Sequence, residues 1–340
     1  MNRLARRAER LAPNQLLVEL MRLVALVSPR NGHTGIFPLD PGHRRTLHLY
    51  PLRLYEFVDG THVVGGEHTG RRLVAISGVP LERVARLVRP LVPYDNGSSL
   101  GAKVPYFSLV AEVLDGLGVG SGVRARTFTF DRQEAELQPI PAREYATAFD
   151  DARGPTMLPR RASPLYLARS RRDLWMRRTD DVLHVGYNST FAPTEAFSRR
   201  LARAAREVRR VIVDLRLNGG GDNTTYGPLI DVFASVDDLA VLIGRGTFSA
   251  AANFATELGL ATNAIFVGEP TGGGVNQYGD SVDRRLPATG WNLHVATLYH
   301  EKGGPNDRRL AVEPDIHVES TSEDFFAGRD PVLDAATRAT

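Results

Sequence analysis

The segment VRRVIVDLRL, residues 208–217, constrains this chain most. Its centre is apolar without alternation, the pattern of a strand covered on both faces. Such a strand belongs inside a sheet with helices packed above and below. The sequence around it supplies both. DVLHVGYN, LAVLIGRG and AIFVGEP read as further strands, while Ala192 to Arg209, Tyr226–Ser235 and SAAANFATELGL carry helical patterns. Strands alternating with helices predict an α/β unit over 165–320.

The first half reads differently. Leu16, Leu20, Leu23, Val24 and Val27 recur at helical spacing, so residues 3–27 are expected to form one amphipathic helix. Glu19 and Arg22 interrupt its apolar run and no small-residue cleavage site follows, which excludes a signal peptide or a membrane span there. Pro29, Asn31 and Gly32 break the helix, so 1–43 form a helix and a turn bearing His33. Residues 44–138 predict a β-rich unit with a helix from Pro80 to about Val92, a second helix at 105–117 and a strand at 123–130. The Pro-, Arg- and Ala-rich stretch from Pro139 to Pro164 is expected as a linker, and 321–340 as a C-terminal tail.

Composition narrows the function classes. The net charge is only +3 over 340 residues, Arg is scattered, and Lys occurs only at 103 and 302. No basic stripe interleaved with aromatics is present, which argues against nucleic acid as a partner. With no cysteine there is no disulfide, thiolate metal site or cysteine nucleophile. No metal or cofactor motif stands out: NGGGDN lacks both the GxGxxG spacing and the GK[ST] of a phosphate loop. The chain as written reads as cytoplasmic, or as exported if a leader is missing.

Three segments carry candidate chemistry. Ser249, in RGTFSAAANF, falls where a buried strand turns into a helix. The free N–H groups of the first helical turn and the helix dipole favour an oxyanion there. The same pattern also fits a plain helix N-cap. After VIVDLRL, the run Gly219, Gly220 and Gly221 allows a tight turn and close approach of a ligand, and is equally a simple loop. His33, in PRNGHTGIFP, is a candidate base for a serine nucleophile or a solvent-exposed loop histidine. Asp214 and Asp315 read as acids hydrogen-bonded to nearby backbone. Asn188 closes a turn, and Tyr50, Tyr55 and Phe57 alternate as core residues on a strand.

Together, GHT at 32–34, DLRLNGGG at 214–221, TFSAA at 247–251, VGEPTGGG at 267–274 and VEPDIHV at 312–318 resemble the tail-specific, or C-terminal processing, serine peptidase family, and within it the tricorn-core-like branch. LYEFVDGTHVV and RRLVAISGVPLERVARLV look like that family's degenerate PDZ-like insert. The resemblance implies a ClpP/crotonase-like β-α core and a polypeptide substrate. It implies that Ser249 attacks, His33 takes its proton, and the amides of Ala250 and of Gly219 or Gly220 bind the oxyanion. A Ser–Lys dyad would need lysine where this chain has Gly274, so the resemblance implies the histidine-dependent arrangement. For the acid that orients histidine it points nearest to Asp307, with Glu269 and Asp280 as competitors. A non-catalytic ligand- or peptide-binding protein on the same fold, and a non-peptidic acyl hydrolase, are the alternatives.

Overall fold

The computed structural model describes residues 6–149 and 163–339, a mixed α/β protein. Two compact units emerge, each built from several stretches of chain. One contains residues up to Tyr94, 100–149 and Tyr278–Leu298; the other contains Asp95–Ser99, 163–277 and 299–339.

The first unit opens with α1 (Pro13–Val27), shorter than the 3–27 expected. Proline lacks an amide proton and presets φ, so Pro13 suits the first helical position and marks the start. Leu17, Val18 and Met21 bury the inner face of α1, while Leu26 and Val27 lie exposed at its end. The β-rich segment follows as β1 (His48–Leu49), β2 (Arg53–Phe57), β3 (Gly60–Gly65), β4 (Leu73–Ile76) and β5 (Val79–Pro80), then α2 (Leu81–Val88). Tyr50 is fully buried but lies between β1 and β2 rather than on one strand with Tyr55 and Phe57, whose rings lie 4.6 Å apart on β2, Tyr55 half-buried and Phe57 buried.

The helix expected at 105–117 is interrupted: it covers the end of α3 (Gly97–Phe107), a break at Ser108–Val110 and α4 (Ala111–Gly116), and the first part of α3 lies before the expected range. β6 (Arg126–Phe130) and β7 (Glu134–Leu137) complete a sheet of order β5-β4-β6-β7. The expected linker is ordered in its first part: β8 (Ile140–Pro141) pairs with β1, and α5 (Ala142–Ala148) buries Ala142 and Tyr145. Pro141 stands just before the helix as its N-cap, in extended conformation, which the stretch's lack of period hid. Residues 150–162 of that expected linker lie outside the described residues.

The second unit holds α6 (Leu165–Ala168), β9 (Leu174–Thr179), β10 (Val182–Tyr187), α7 (Glu195–Ala205), β11 (Arg210–Asp214), α8 (Gly227–Phe233), β12 (Leu239–Ile243), α9 (Ala250–Ala261) and β13 (Ile265–Gly268). In sequence a two-stranded ribbon, β14 (Asn276–Arg285) and β15 (Asn292–Glu301), follows, most of it counted with the first unit, before the second unit's last strand, β16 (Ile316–His317). The main sheet has the order β16-β13-β12-β11-β10-β9. Every pair is parallel except β9 with β10, which is antiparallel. All five residues of β11 are buried, as its continuous apolar pattern requires. Val211 and Val213 face one core with Phe233, Phe254 and Leu258; Ile212 faces another with Leu242, Val267, Val332 and Ala336.

The expected tail at 321–340 instead carries α10 (Ser322–Phe326) and α11 (Pro331–Arg338). Val332 and Ala336 of α11 cover the sheet. Without them the outer face of β12 and β13 would lack cover, which an apolar parallel sheet does not tolerate. Among the described residues, no helix is long and apolar enough to cross a membrane.

Candidate active site

In an open α/β sheet, loops at the carboxyl ends of parallel strands gather where ligands bind. Here the loops leaving β11 and β12 meet. The first carries Asn218 and the three glycines; the second runs through Thr247 and Phe248 to Ser249 at the head of α9. Asn218 is fully buried and connects three segments. Its Nδ2 donates to the Tyr187 carbonyl at 2.9 Å, its Oδ1 accepts from the Gly220 amide at 3.0 Å, and its carbonyl accepts from the Phe248 amide at 3.1 Å. Thr247, also fully buried, donates to the Leu215 carbonyl at 2.9 Å and accepts from the Gly244 amide. Gln277 donates to the Ser249 carbonyl at 2.9 Å and to Asn253 Oδ1 at 2.8 Å. Sequence reading singled out none of these three. Their signal is a polar residue where burial is expected, since buried polar atoms must find partners.

Ser249 sits at φ 53°, ψ −131°, a backbone conformation costly for any residue with a Cβ, about 1–3 kcal/mol. Its side chain makes no capping bond to α9, so the N-cap reading fails. A sharp, strained strand-to-helix turn is how a nucleophilic serine is presented above a sheet. The first-turn amides of α9, a helix of twelve residues with no acidic residue in its first turn, lie beneath it.

The candidate oxyanion donors differ in what they already do. The Gly220 amide is engaged by Asn218 Oδ1, whereas Gly219 is exposed and Ala250 opens α9 with no acceptor a turn earlier in the helix. Gly220 has φ +107°, and a Cβ there would stand 2.6 Å from Ser249 Cβ and 2.9 Å from the Phe248 carbonyl oxygen. Only glycine fits so close to the serine. Gly220→Ala is expected to displace the turn and slow labelling of Ser249 by a fluorophosphonate by about 10²-fold, the cost of a 1 Å misplacement.

The VGEPTGGG segment closes on the same turn: the Gly273 amide donates to the Thr247 carbonyl at 3.1 Å. Gly274 has no side chain to offer, and a Cβ there would meet the Asn276 carbonyl oxygen at 2.8 Å. Both lysines are engaged elsewhere. Lys302 pairs with Glu257 at 2.5 Å, and Lys103 donates to the carbonyls of Gly32 and Pro93 at 3.1 and 3.0 Å.

His33 belongs to the first unit, on a turn with several fastenings. Its amide donates to Asn31 Oδ1 at 3.2 Å, and its carbonyl accepts from Ser281 Oγ at 2.8 Å. Thr34 Oγ1 accepts from the Ala296 amide, and Gly35 exchanges two backbone bonds with His294. Lys103 therefore braces the residue before His33, a supporting role that sequence did not suggest.

Of the acids, Asp307 is gripped by Arg309, which holds its carboxyl below the usual carboxylate range. Glu269 is gripped by Arg245. Asp280 lies on β14 at φ 50°, beside the Ser281 that bonds His33. Asp214 Oδ1 accepts from the Arg216 amide, and Asp315 Oδ2 from the Phe266 amide, so both order nearby backbone. Asn188 Nδ2 donates to the carbonyls of Arg169 and Arg172, closing a turn. Among the described residues, no three His, Asp or Glu side chains are grouped as a metal site.

No family model and no curated protein matches this sequence. Solved structures do. A structure of mature CPAF complexed with lactacystin is similar, at 12% identity and a TM-score of 0.63, over 96% of this chain and 87% of that one. A photosystem II D1 C-terminal processing protease matches at 14% identity and TM-score 0.42, over 92% and 86% of the two chains. An S41 protease from Bacteroides fragilis matches at 14% and 0.37, over 90% and 85%. With strained Ser249, the glycine loop and the sheet beneath them, this chain has a fold similar to that of mature CPAF over nearly its whole length.

Proposed function

We propose that this chain is a serine peptidase of the tail-specific kind, hydrolysing polypeptides through an acyl-enzyme on Ser249. The strained backbone of Ser249, with its hydroxyl not used to cap α9, carries this reading. A fold holds a residue at φ 53° only when its surroundings over-determine it, and Asn218, Thr247 and Gln277 do so here. The five motifs that resemble those of the tail-specific peptidases, and a fold like that of CPAF, support the same reading. The second unit is the crotonase-like core in this proposal, and the four-stranded sheet with α2 the degenerate PDZ-like insert.

In the proposed reaction Ser249 Oγ attacks the scissile carbonyl carbon as His33 accepts its proton. The carbonyl oxygen becomes an oxyanion held by the amides of Gly219 and Ala250; Gly220 is left out because Asn218 holds its N–H. The C–N bond breaks, and His33 returns the proton to the departing amine. Water, deprotonated by His33, then cleaves the ester and restores Ser249. Asp307 enters as a salt-bridged loop acid, its carboxylate committed to Arg309.

A fluorophosphonate probe tests the assignment. It is expected to label the wild type and to fail on both Ser249→Ala and His33→Ala. Labelling that survives Ser249→Ala would refute the nucleophile, and labelling without cleavage of any unfolded polypeptide would refute the peptidase reading.

A further inference from the structure

Phe191 is 74% exposed, well above Tyr278 at 43% and Tyr299 at 44%. A lone exposed apolar residue needs no explanation, but the placement of this one does. It follows Asn188, Ser189 and Thr190, all buried, at the end of β10. Its backbone is fastened: the Phe191 amide donates to Ser189 Oγ at 3.3 Å, and the Thr190 amide donates to the Gly220 carbonyl at 3.2 Å. The Thr190 carbonyl in turn accepts from Thr225 Oγ1.

The ring lies directly on the glycine loop. Gly221 has φ +142°, and a Cβ there would come within 2.8 Å of the Phe191 amide and 2.9 Å of its ring Cδ2. The next residue, Gly220, is the one whose Cβ direction points at Ser249 Cβ, 2.6 Å away. Ring, Gly221, Gly220 and Ser249 thus form a continuous series of contacts within the second unit. Two adjacent glycines thus separate the aromatic ring from Ser249, one packed against each.

On the serine peptidase reading above, we infer that Phe191 is a specificity-determining residue, forming the apolar wall of a subsite for a large aliphatic or aromatic side chain next to the scissile bond. A ring held on a fixed backbone presents apolar area with little ordering cost, and a substrate side chain laid against it removes that area from water. The polar elements for chemistry, the amides of Gly219 and Ala250, lie on that glycine loop and at the head of α9. The wall therefore serves the flanking side chain, and the amides serve the carbonyl.

Cleavage-site profiling by mass spectrometry on a denatured protein mixture tests this. The wild type is expected to enrich Leu, Met, Phe or Tyr at one position flanking the cut. Phe191→Ser is expected to lose that enrichment, with kcat/KM on peptides carrying those residues falling at least about tenfold relative to matched peptides carrying Ala. Phe191→Leu should restore most of the preference, which a merely structural role would not do. The thermal midpoint checks that this exposed substitution leaves the fold intact. An unchanged profile in Phe191→Ser, with cleavage and fluorophosphonate labelling of Ser249 present in the wild type, would overturn the subsite alone. A wild type that neither labels nor cleaves would overturn the peptidase reading and the subsite with it.

Discussion

On the peptidase reading proposed above, Ser249→Gly is expected to yield a protein more stable than the wild type by about 1 kcal/mol that has lost turnover by at least about 10⁴-fold. The two effects have one origin. At φ 53°, ψ −131°, the Cβ of Ser249 crowds its own backbone, a strain of about 1–3 kcal/mol that glycine does not feel. Part of the gain is offset because glycine has more unfolded-state freedom to lose. Ser249→Ala keeps the Cβ and therefore the strain, so it should lose turnover without gaining stability. Comparing the two by chemical denaturation separates strain from chemistry. If glycine were less stable than alanine at this position, strain at Ser249 would not be what the fold stores there.

Arg216→Ala should be strongly destabilising, costing about 3–5 kcal/mol and on the order of 10 °C in thermal midpoint. Arg216 extends the same DLRL segment that leads to the glycine loop. Its guanidinium bonds both carboxylate oxygens of Asp214 and spans to Asp330, with Nη1 at 2.8 Å and Nη2 at 2.9 Å from the Asp330 oxygens. The ring of Tyr166 stacks 4.0 Å from the guanidinium carbon. All three charged side chains are nearly buried, 11% exposed for Arg216, 10% for Asp214 and 8% for Asp330. Removing the cation leaves two carboxylates together in a low-dielectric site, and it also loosens α11, which Asp330 caps through the Leu333 amide.

The pH dependence of this difference has a definite sign. Burial alone would raise the Asp330 carboxyl, but Arg216 and the amides of Leu333 and Val332 outweigh it and hold the group below its ordinary range. A depressed folded-state pKa stabilises the protein above the unfolded carboxyl value of about 3.9, and the contribution is lost as pH falls through the folded value. Arg216 itself stays charged throughout, its own pKa pushed up mainly by the two carboxylates against the cost of burial. The gap in unfolding free energy between wild type and Arg216→Ala should therefore be widest near neutrality and shrink below about pH 4. A gap of constant size from pH 7 to pH 3 would remove the ion cluster as its cause.

Much of this architecture is legible from local pattern. The buried strand β11, the helix after Ser249 and the strands on either side follow from which residues are apolar and how often they recur. Burial on both faces leaves a strand no other composition. Breaks were less legible. The expected helix at 105–117 joins only the end of α3 to α4, because apolar spacing continues across 108–110, where the backbone turns; the start of α3 at Gly97 carried no such spacing. β9 and α11 escaped notice because β9 lies at the sheet edge with an exposed Arg-Arg-Thr end, and α11 buries only Val332 and Ala336.

At the site, the sequence by itself determined which atoms were available: a serine between strand and helix, three consecutive glycines, one histidine at a tight turn, and no lysine at position 274. Tertiary structure decided how those atoms are used. It placed Ser249 at a positive φ and left its hydroxyl out of the cap, assigned the Gly220 amide to Asn218, and committed the Asp307 carboxylate to Arg309. It also set Phe191 over Gly221 and Asp330 against Arg216 across 114 residues of sequence. The reason is physical. Periodicity records whether a position faces water, a property that each residue's own chemistry expresses. Which donor meets which acceptor, and which backbone is forced off its preferred angles, depends on groups brought together only when the strands pair and the loops at their ends converge.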